Sequence, residues 1–136
     1  MTKIGLLGCG SWGTTLAQIL AKKGENVFAW HYRKDFIDSI SLSRLNPLLP
    51  NINLDEKISF HHNINDVLCG SEILILSVPS SAMRETLEKI SKRIHPEIKI
   101  VNTSKGFEIN TLMSMSEIIL ETLNIDQDQI ITLYGP

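Results

Sequence analysis

The chain has 136 residues, and 13 Lys and Arg against 15 Asp and Glu give a formal net charge of −2. Hydrophobic residues make up 43% and charged residues 21%, as in an ordinary globular domain with a real core. This composition excludes a disordered tail, a collagen, a coiled coil and a disulfide mini-protein. The acidic balance argues against nucleic acid as a partner.

Local patterns bear on three further properties, namely membrane insertion, cysteine pairing and metal binding. No apolar run approaches the roughly 18 residues of a membrane span, so no membrane insertion is expected. Cys9 and Cys69 lack CxxC spacing and are expected to be free thiols, which indicates a reducing cytoplasm. The histidines lack metal-ligand spacing, so no metal site is expected.

Hydrophobic periodicity predicts strands that alternate with helices along the whole chain. In chain order, the predicted elements are a strand at 3–7, a helix at 12–23, a strand at 26–30, a helix at 34–44, a proline-containing loop at 46–55, a strand at 57–60, a short helix at 64–68, a strand at 72–78, a helix at 83–94, a strand at 98–102, a helix at 111–123 and a strand at 130–134. This alternation predicts an α/β fold with a doubly wound parallel sheet of about six strands, the Rossmann class. Ligands of such sheets bind at the carboxyl ends of the strands, so functional residues should follow strands.

A glycine-rich turn follows the first predicted strand and opens the first helix, with the sequence Gly8-Cys9-Gly10-Ser11-Trp12-Gly13. In this GxGxxG pattern Gly8 permits the tight turn, Gly10 lets a pyrophosphate approach the backbone, and Gly13 lets the helix pack close to the strand. The free N–H groups at the helix start would hold the anion. A tight turn without a ligand is the alternative.

The second predicted strand ends without the acidic residue that usually binds the adenosine ribose. Tyr32 and Arg33 stand there instead, and a guanidinium suits a 2′-phosphate. NADP is therefore expected as cofactor, with NAD also accepted. Asp35 is a substitute acid but is expected inside the next helix. A solvated basic turn is the alternative for this segment.

The segment from Gly8 to Ala17 resembles the opening of bacterial-type NAD(P)-dependent glycerol-3-phosphate dehydrogenases. Matching motifs follow in order, namely Trp30 with Arg33, the loop from Asn46 to Leu54, Val78-Pro79-Ser80-Ser81-Ala82-Met83-Arg84, Ser104-Lys105-Gly106-Phe107-Glu108 and Tyr134-Gly135-Pro136. The resemblance covers the whole chain. It implies the NAD(P)H-dependent interconversion of dihydroxyacetone phosphate and sn-glycerol 3-phosphate for glycerophospholipid synthesis.

The resemblance also implies roles for individual residues. Cofactor contacts are implied for Gly8, Gly10, Ser11, Trp12, Gly13, Tyr32, Arg33, Pro79 and Lys105. Lys105 is implied as the catalytic residue and as a substrate contact, and Gly135 as a second substrate contact. The chemistry agrees for Lys105, because a carbonyl that accepts a hydride develops negative charge that an ammonium stabilises. Ser104 either binds substrate or caps a turn, and Arg84 is expected to be a plain surface residue.

The sequence departs from the family pattern in three respects. Leu48 stands where the family often has Tyr, in a loop one residue shorter, and Tyr134 stands where the family usually has Ser. The chain is also expected to be a truncated dinucleotide-binding domain over 1–136, without the helical C-terminal substrate domain. Such a piece should bind nucleotide weakly and turn over no substrate alone, and its uncovered apolar surface favours self-association as a homodimer.

Two other functions are left open by the residues. One is another two-domain dehydrogenase of the 6-phosphogluconate or ketopantoate reductase type, which the Ser104-Lys105-Gly106 motif disfavours. The other is a nucleotide-sensing Rossmann module without chemistry. That module would bind cofactor and show no activity even in the complete protein.

Overall fold

Six parallel strands form the centre of the molecule in a computed structural model that describes residues 2–133. The strands are β1 (Lys3–Leu7), β2 (Asn26–Trp30), β3 (Ile58–His61), β4 (Ile73–Leu76), β5 (Lys99–Asn102) and β6 (Ile130–Thr132). The helices between them are α1 (Ser11–Lys22), α2 (Lys34–Ser43), α3 (Ile64–Leu68), α4 (Met83–Ile90) and α5 (Met115–Leu123). Short 3-10 turns cover Ser80–Ala82 and Gln127–Gln129.

The strand order in the sheet is β3-β2-β1-β4-β5-β6, so the winding direction reverses between β1 and β4. Leu7 at the end of β1 pairs with Trp30 of β2 on one side and with Leu76 of β4 on the other. This arrangement confirms the doubly wound parallel sheet expected from the sequence. A crevice forms where the winding reverses, outside the carboxyl ends of the strands.

Helices cover both faces of the sheet, because the strand side chains that point to either face are apolar. On one face, Leu6 and neighbouring strand residues pack with α1 and α2, through Ala17 and Ile37 among others. On the other face, Leu7 and its neighbours pack with α3, α4 and α5. Two cores therefore fix the sheet between layers of helices, and the loops at its carboxyl edge start from rigid strand ends.

Several boundaries differ from those expected from the sequence. The fourth strand is confined to β4, and its predicted continuation over 77–78 forms the turn that leads to Pro79. The predicted helix over 111–123 begins only at Met115, because Ser114 and Glu117 form a capping box there. Its predicted first turn is instead part of a loop. The helix expected over 83–94 ends at Ile90.

The part of the chain that the structure describes contains no helix long and apolar enough to cross a bilayer. The sequence predicts a sixth strand over 130–134, whereas β6 ends at Thr132 and Leu133 is not part of it; residue 134 lies outside the described range. Cys9 is buried and Cys69 exposed, and both are free thiols as predicted.

Candidate functional site

A cleft of about 760 Å³ opens at the carboxyl edge of the sheet, between the loops that follow β1 and β4. It includes the whole glycine turn, and it extends past the end of β2 on one side and the end of β5 on the other. The predicted site residues on its wall are Gly8, Gly10, Ser11, Trp12, Gly13, Tyr32 and Pro79. The winding of the sheet thus brings three separate sequence motifs to one cleft.

The three glycines of the turn have different reasons to lack a side chain. Gly8 has φ +108°, and a Cβ there would collide with the backbone of Ser77. A Cβ on Gly13 would collide with the carbonyl oxygen of Gly8. A Cβ on Gly10 would meet nothing within 4 Å. Gly8 and Gly13 are therefore required by the fold, whereas the space beside Gly10 is open for a ligand.

Helix α1 begins at this turn, and the positive end of its dipole is available to an anion. Gly10 is its N-cap and supplies no side-chain hydrogen bond, and the first turn contains no acidic residue. Backbone N–H groups at such a start lack intrahelical acceptors and attract an anion. Ser11 and Trp12 occupy the first two helical positions, and Trp12, on the cleft wall, is 46% exposed.

A buried asparagine supports the glycine turn from behind. Asn46 Nδ2 donates to the carbonyl oxygen of Cys9 at 3.1 Å and to Thr14 Oγ1 at 2.9 Å. Its Oδ1 accepts from the N–H of Leu48 at 3.0 Å. Sequence reasoning assigned Asn46 no role, although a polar residue heading a proline-rich loop was the available signal. Burial raises the pKa of the Cys9 thiol to about 12, which makes a reactive role for it unfavourable.

The end of β2 carries the residues predicted to hold the adenosine part of a cofactor. The exposed Tyr32 ring stacks on His31 with a centroid distance of 4.8 Å. Arg33 is not on the cleft wall, and its Nη2 donates to Asp35 Oδ2 at 3.0 Å. This hydrogen bond lowers the pKa of the Asp35 carboxyl. Asp35 lies in the first turn of α2, as expected, and partly neutralises the cation.

The loops after β4 and β5 are joined at the opposite end of the cleft. Ser104 Oγ donates to the carbonyl oxygen of Val78 at 2.5 Å, directly before Pro79. Thr103 donates to the carbonyl oxygen of Leu76 through both its N–H and its hydroxyl, each at 2.9 Å. Of the two roles considered for Ser104, the structure therefore shows the one that fixes a turn.

Lys105 follows this buried pair and is exposed. It lies on a neighbouring cavity of about 140 Å³, which shares Ser104 with the main cleft. Its side chain makes no hydrogen bond or ion pair within residues 2–133. Lys105 is thus exposed beside the cleft and available to a ligand, while the Ser104 hydroxyl attaches the preceding backbone to Val78 in the loop after β4.

Arg84 has a different environment from the one expected. Its Nε and Nη2 donate to the two carboxylate oxygens of Glu108 at 2.8 and 2.9 Å, and its side chain is 29% exposed. The expectation of a plain surface role is wrong, because this bidentate pair joins α4 to the loop that carries Lys105. The periodicity of a helix does not show such a partner.

Gly135, predicted to contact substrate, lies outside the described residues. Within 2–133 no three His, Cys, Asp or Glu side chains are grouped in a way that could hold a metal ion.

Comparison with known proteins identifies the family of this fold and cleft. The family described as the N-terminus of NAD-dependent glycerol-3-phosphate dehydrogenase matches residues 3–136. A glycerol-3-phosphate dehydrogenase [NAD(P)+] from Geobacter sulfurreducens is 38% identical over 122 residues, which cover 89% of this chain and 36% of the relative. The corresponding protein from Fusobacterium nucleatum is 37% identical over 137 residues, covering 100% of this chain and 41% of the relative.

A solved structure agrees with these relatives. The glycerol-3-phosphate dehydrogenase of Coxiella burnetii superposes with a TM-score of 0.87 at 29% identity, covering 96% of this chain and 39% of that one. The chain thus spans about two fifths of the length of the proteins it matches. The cofactor named for these relatives, NAD or NADP, is the one expected from the glycine turn together with the end of the second strand. The chain belongs to the family of N-terminal domains of NAD-dependent glycerol-3-phosphate dehydrogenases.

Proposed function

We propose that residues 1–136 form one dinucleotide-binding domain, which holds NADPH or NADH in the main cleft and serves a glycerol-3-phosphate dehydrogenase. The observation that carries this proposal is the open space beside Gly10 at an uncapped helix start. Nothing in the fold requires a glycine there, whereas a pyrophosphate that approaches the backbone does. The family assignment favours this function over a nucleotide-sensing module.

Different residues of the cleft bind different parts of the cofactor. The N–H groups at the start of α1 bind the pyrophosphate, with Ser11 and Trp12 beside it. Tyr32 supports the adenine, and Arg33 binds a 2′-phosphate after exchanging part of its contact with Asp35. Pro79 holds the nicotinamide side of the cleft. Trp30 and Asn46 are buried and keep the cleft walls in place.

Lys105 is the residue of this chain that acts in the proposed reaction. When bound, the reduced nicotinamide supplies a hydride to a carbonyl carbon. The Lys105 ammonium stabilises the negative charge that develops on the carbonyl oxygen, and Ser104 fixes the backbone that precedes it. Lys105 and Gly135 contact the substrate, for which we propose dihydroxyacetone phosphate in one direction and sn-glycerol 3-phosphate in the other. The product would serve glycerophospholipid synthesis in the cytoplasm.

Further proposals concern what this domain does alone. Since it spans two fifths of its relatives, we expect it to bind nucleotide and to lack turnover by itself. Ile131, on the edge strand β6, is 58% exposed, which supports self-association as a homodimer.

Replacement of Gly10 by alanine tests the binding site without disturbing the fold. The added methyl meets no protein atom, so thermal unfolding should change only by the small cost of alanine at an N-cap, but the methyl would occupy the space proposed for the pyrophosphate. Titration calorimetry with NADPH should show an affinity about tenfold or more below that of the wild type. Equal affinity of the folded variant and the wild type would refute the assignment of this cleft.

A further inference from the structure

The Arg84–Glu108 pair joins two motifs that are far apart in sequence. Both carboxylate oxygens of Glu108 accept from the Arg84 guanidinium, and the Glu108 side chain is only 19% exposed. Bidentate pairs of this kind are stronger and more directional than single ionic contacts. The pair therefore fixes both the distance and the orientation between α4 and the segment that contains Lys105.

Glu108 also organises the loop in which it lies. Its Oε1 accepts from Thr111 Oγ1 at 2.6 Å, and its backbone oxygen accepts from the N–H of Leu112 at 2.7 Å. Its own N–H donates to the carbonyl oxygen of Met113 at 2.9 Å. Leu112 is held at φ +58°, a strained conformation for a leucine. Glu108 thus closes this loop through its backbone and one carboxylate oxygen, and its carboxylate attaches the loop to α4.

Lys105 lies between two attachments to the same neighbouring segment. On its N-terminal side, the Ser104 hydroxyl is bonded to the carbonyl oxygen of Val78. On its C-terminal side, Glu108 is bonded to Arg84, at the start of the helix that follows Pro79. Gly106, between the two, has φ +104°, so the backbone changes direction there.

We propose that Arg84 and Glu108 are positioning residues that hold Lys105 at a fixed place beside the Pro79 end of the cleft. The proposal rests on the proposed function for the role of Lys105, and on the contacts alone for the attachment. Ser104 holds the chain on the N-terminal side of Lys105, and the attachment of Glu108 to Arg84 adds a side-chain link to α4 on its C-terminal side. A small displacement of a catalytic group lowers the reaction rate, so two attachments that keep Lys105 in place would preserve that rate.

The chain offers a closely matched control. Glu121 on α5 pairs with the same guanidinium, with 3.5 Å between Arg84 Nη1 and Glu121 Oε1, and is 55% exposed. It does not belong to the Lys105 loop. Glu108→Gln and Glu121→Gln therefore remove the same charge from the surroundings of the same arginine, but only the first breaks the bidentate pair that attaches the loop to α4.

Amide hydrogen exchange of the 136-residue chain, without cofactor, tests the attachment. The Leu112 amide, bonded within the loop, should exchange about tenfold faster in Glu108→Gln than in the wild type, while Glu121→Gln stays near the wild type. Amides of β4 report whether the fold is intact. Arg84→Lys keeps the charge but loses the fork, so it should give the same acceleration if Glu108→Gln fails to fold. Equal exchange in all folded variants would overturn the proposal.

A second readout separates positioning from mere stability. In the wild type with NADPH bound, we expect a nuclear Overhauser contact between the Lys105 side chain and the nicotinamide. Glu108→Gln should lose it while its NADPH affinity stays within about twofold, since the glycine turn is untouched. A retained contact would overturn the positioning role. A wild type that binds no NADPH would instead refute the proposed function, and the exchange experiment would still decide the attachment.

Discussion

Arg33 carries its own counter-ion, and this bears on the choice between NADP and NAD. Its guanidinium donates to Asp35 at 3.0 Å, in the first turn of α2. A 2′-phosphate would compete with the Asp35 carboxylate for the cation and would be repelled by it. A ribose hydroxyl would tolerate both groups. The pair therefore suits acceptance of either cofactor rather than strong preference for one.

Replacement of Asp35 by asparagine should shift this balance toward NADPH. The change removes a negative charge beside the proposed phosphate position, so NADPH affinity should rise about threefold or more while NADH affinity is little changed. Asp38→Asn is the matched control, because Asp38 pairs with Lys34 on the same helix at 2.6 Å. Calorimetric titration of both variants measures the ratio. An identical ratio in the two variants would show that Asp35 does not face the phosphate.

The loop between α2 and β3 supports the glycine turn. Asn46 is 1% exposed and connects that loop to Cys9 and Thr14. Its amide satisfies a buried carbonyl and a buried hydroxyl that no water reaches easily. The glycine turn is thus fixed by a loop from outside its own βα unit.

Removal of this amide should destabilise the protein and weaken its cleft. Asn46→Ala leaves buried groups unpaired, which costs about 1–3 kcal/mol of unfolding free energy. Asn46→Asp should be similarly harmful, because it keeps the acceptor for Leu48 but loses both donated hydrogen bonds. Urea unfolding of the two variants and the wild type measures the effect. Unchanged midpoints would mean that the Asn46 network contributes nothing.

Features that depend on local sequence could be predicted, whereas contacts between residues distant in sequence could not. Strands such as β4 were predictable, because continuous apolar runs depend on local sequence. The GxGxxG turn was predictable, because the glycine spacing between a strand and a helix is a local sequence pattern. Asn46, Arg84 and Glu108 were not, because their partners are distant in sequence. Apolar spacing predicts too early a start for α5, because a capping box, and not hydrophobicity, makes Met115 its first residue.

For the whole molecule, the Arg84–Glu108 pair makes stability dependent on pH. The hydrogen bonds from Arg84 lower the pKa of Glu108 from 4.5 to about 2. A carboxylate with a depressed pKa stabilises the fold above its unfolded value, and this contribution is lost as the pH falls toward the folded value. The connection between α4 and the Lys105 loop should therefore weaken between about pH 4.5 and pH 2.

The Glu108→Gln variant tests this dependence. At neutral pH it should be less stable than the wild type, and the difference should shrink steadily as the pH is lowered through this window. Glu121→Gln should show a smaller and flatter difference, because its contact is longer and more exposed. Urea denaturation over the pH range measures both. A Glu108→Gln difference that is independent of pH would contradict the ionic origin of the effect.

Amide NMR of this chain during titration with NADPH tests whether the cleft beside the glycine turn binds a nicotinamide dinucleotide. Saturable shifts should be largest for the amides from Gly8 to Gly13, with smaller shifts near Tyr32 and Lys105. The α5 amides distant from the cleft should serve as an internal control. Saturable shifts that cluster elsewhere, or none in a chain shown to be folded, would contradict it.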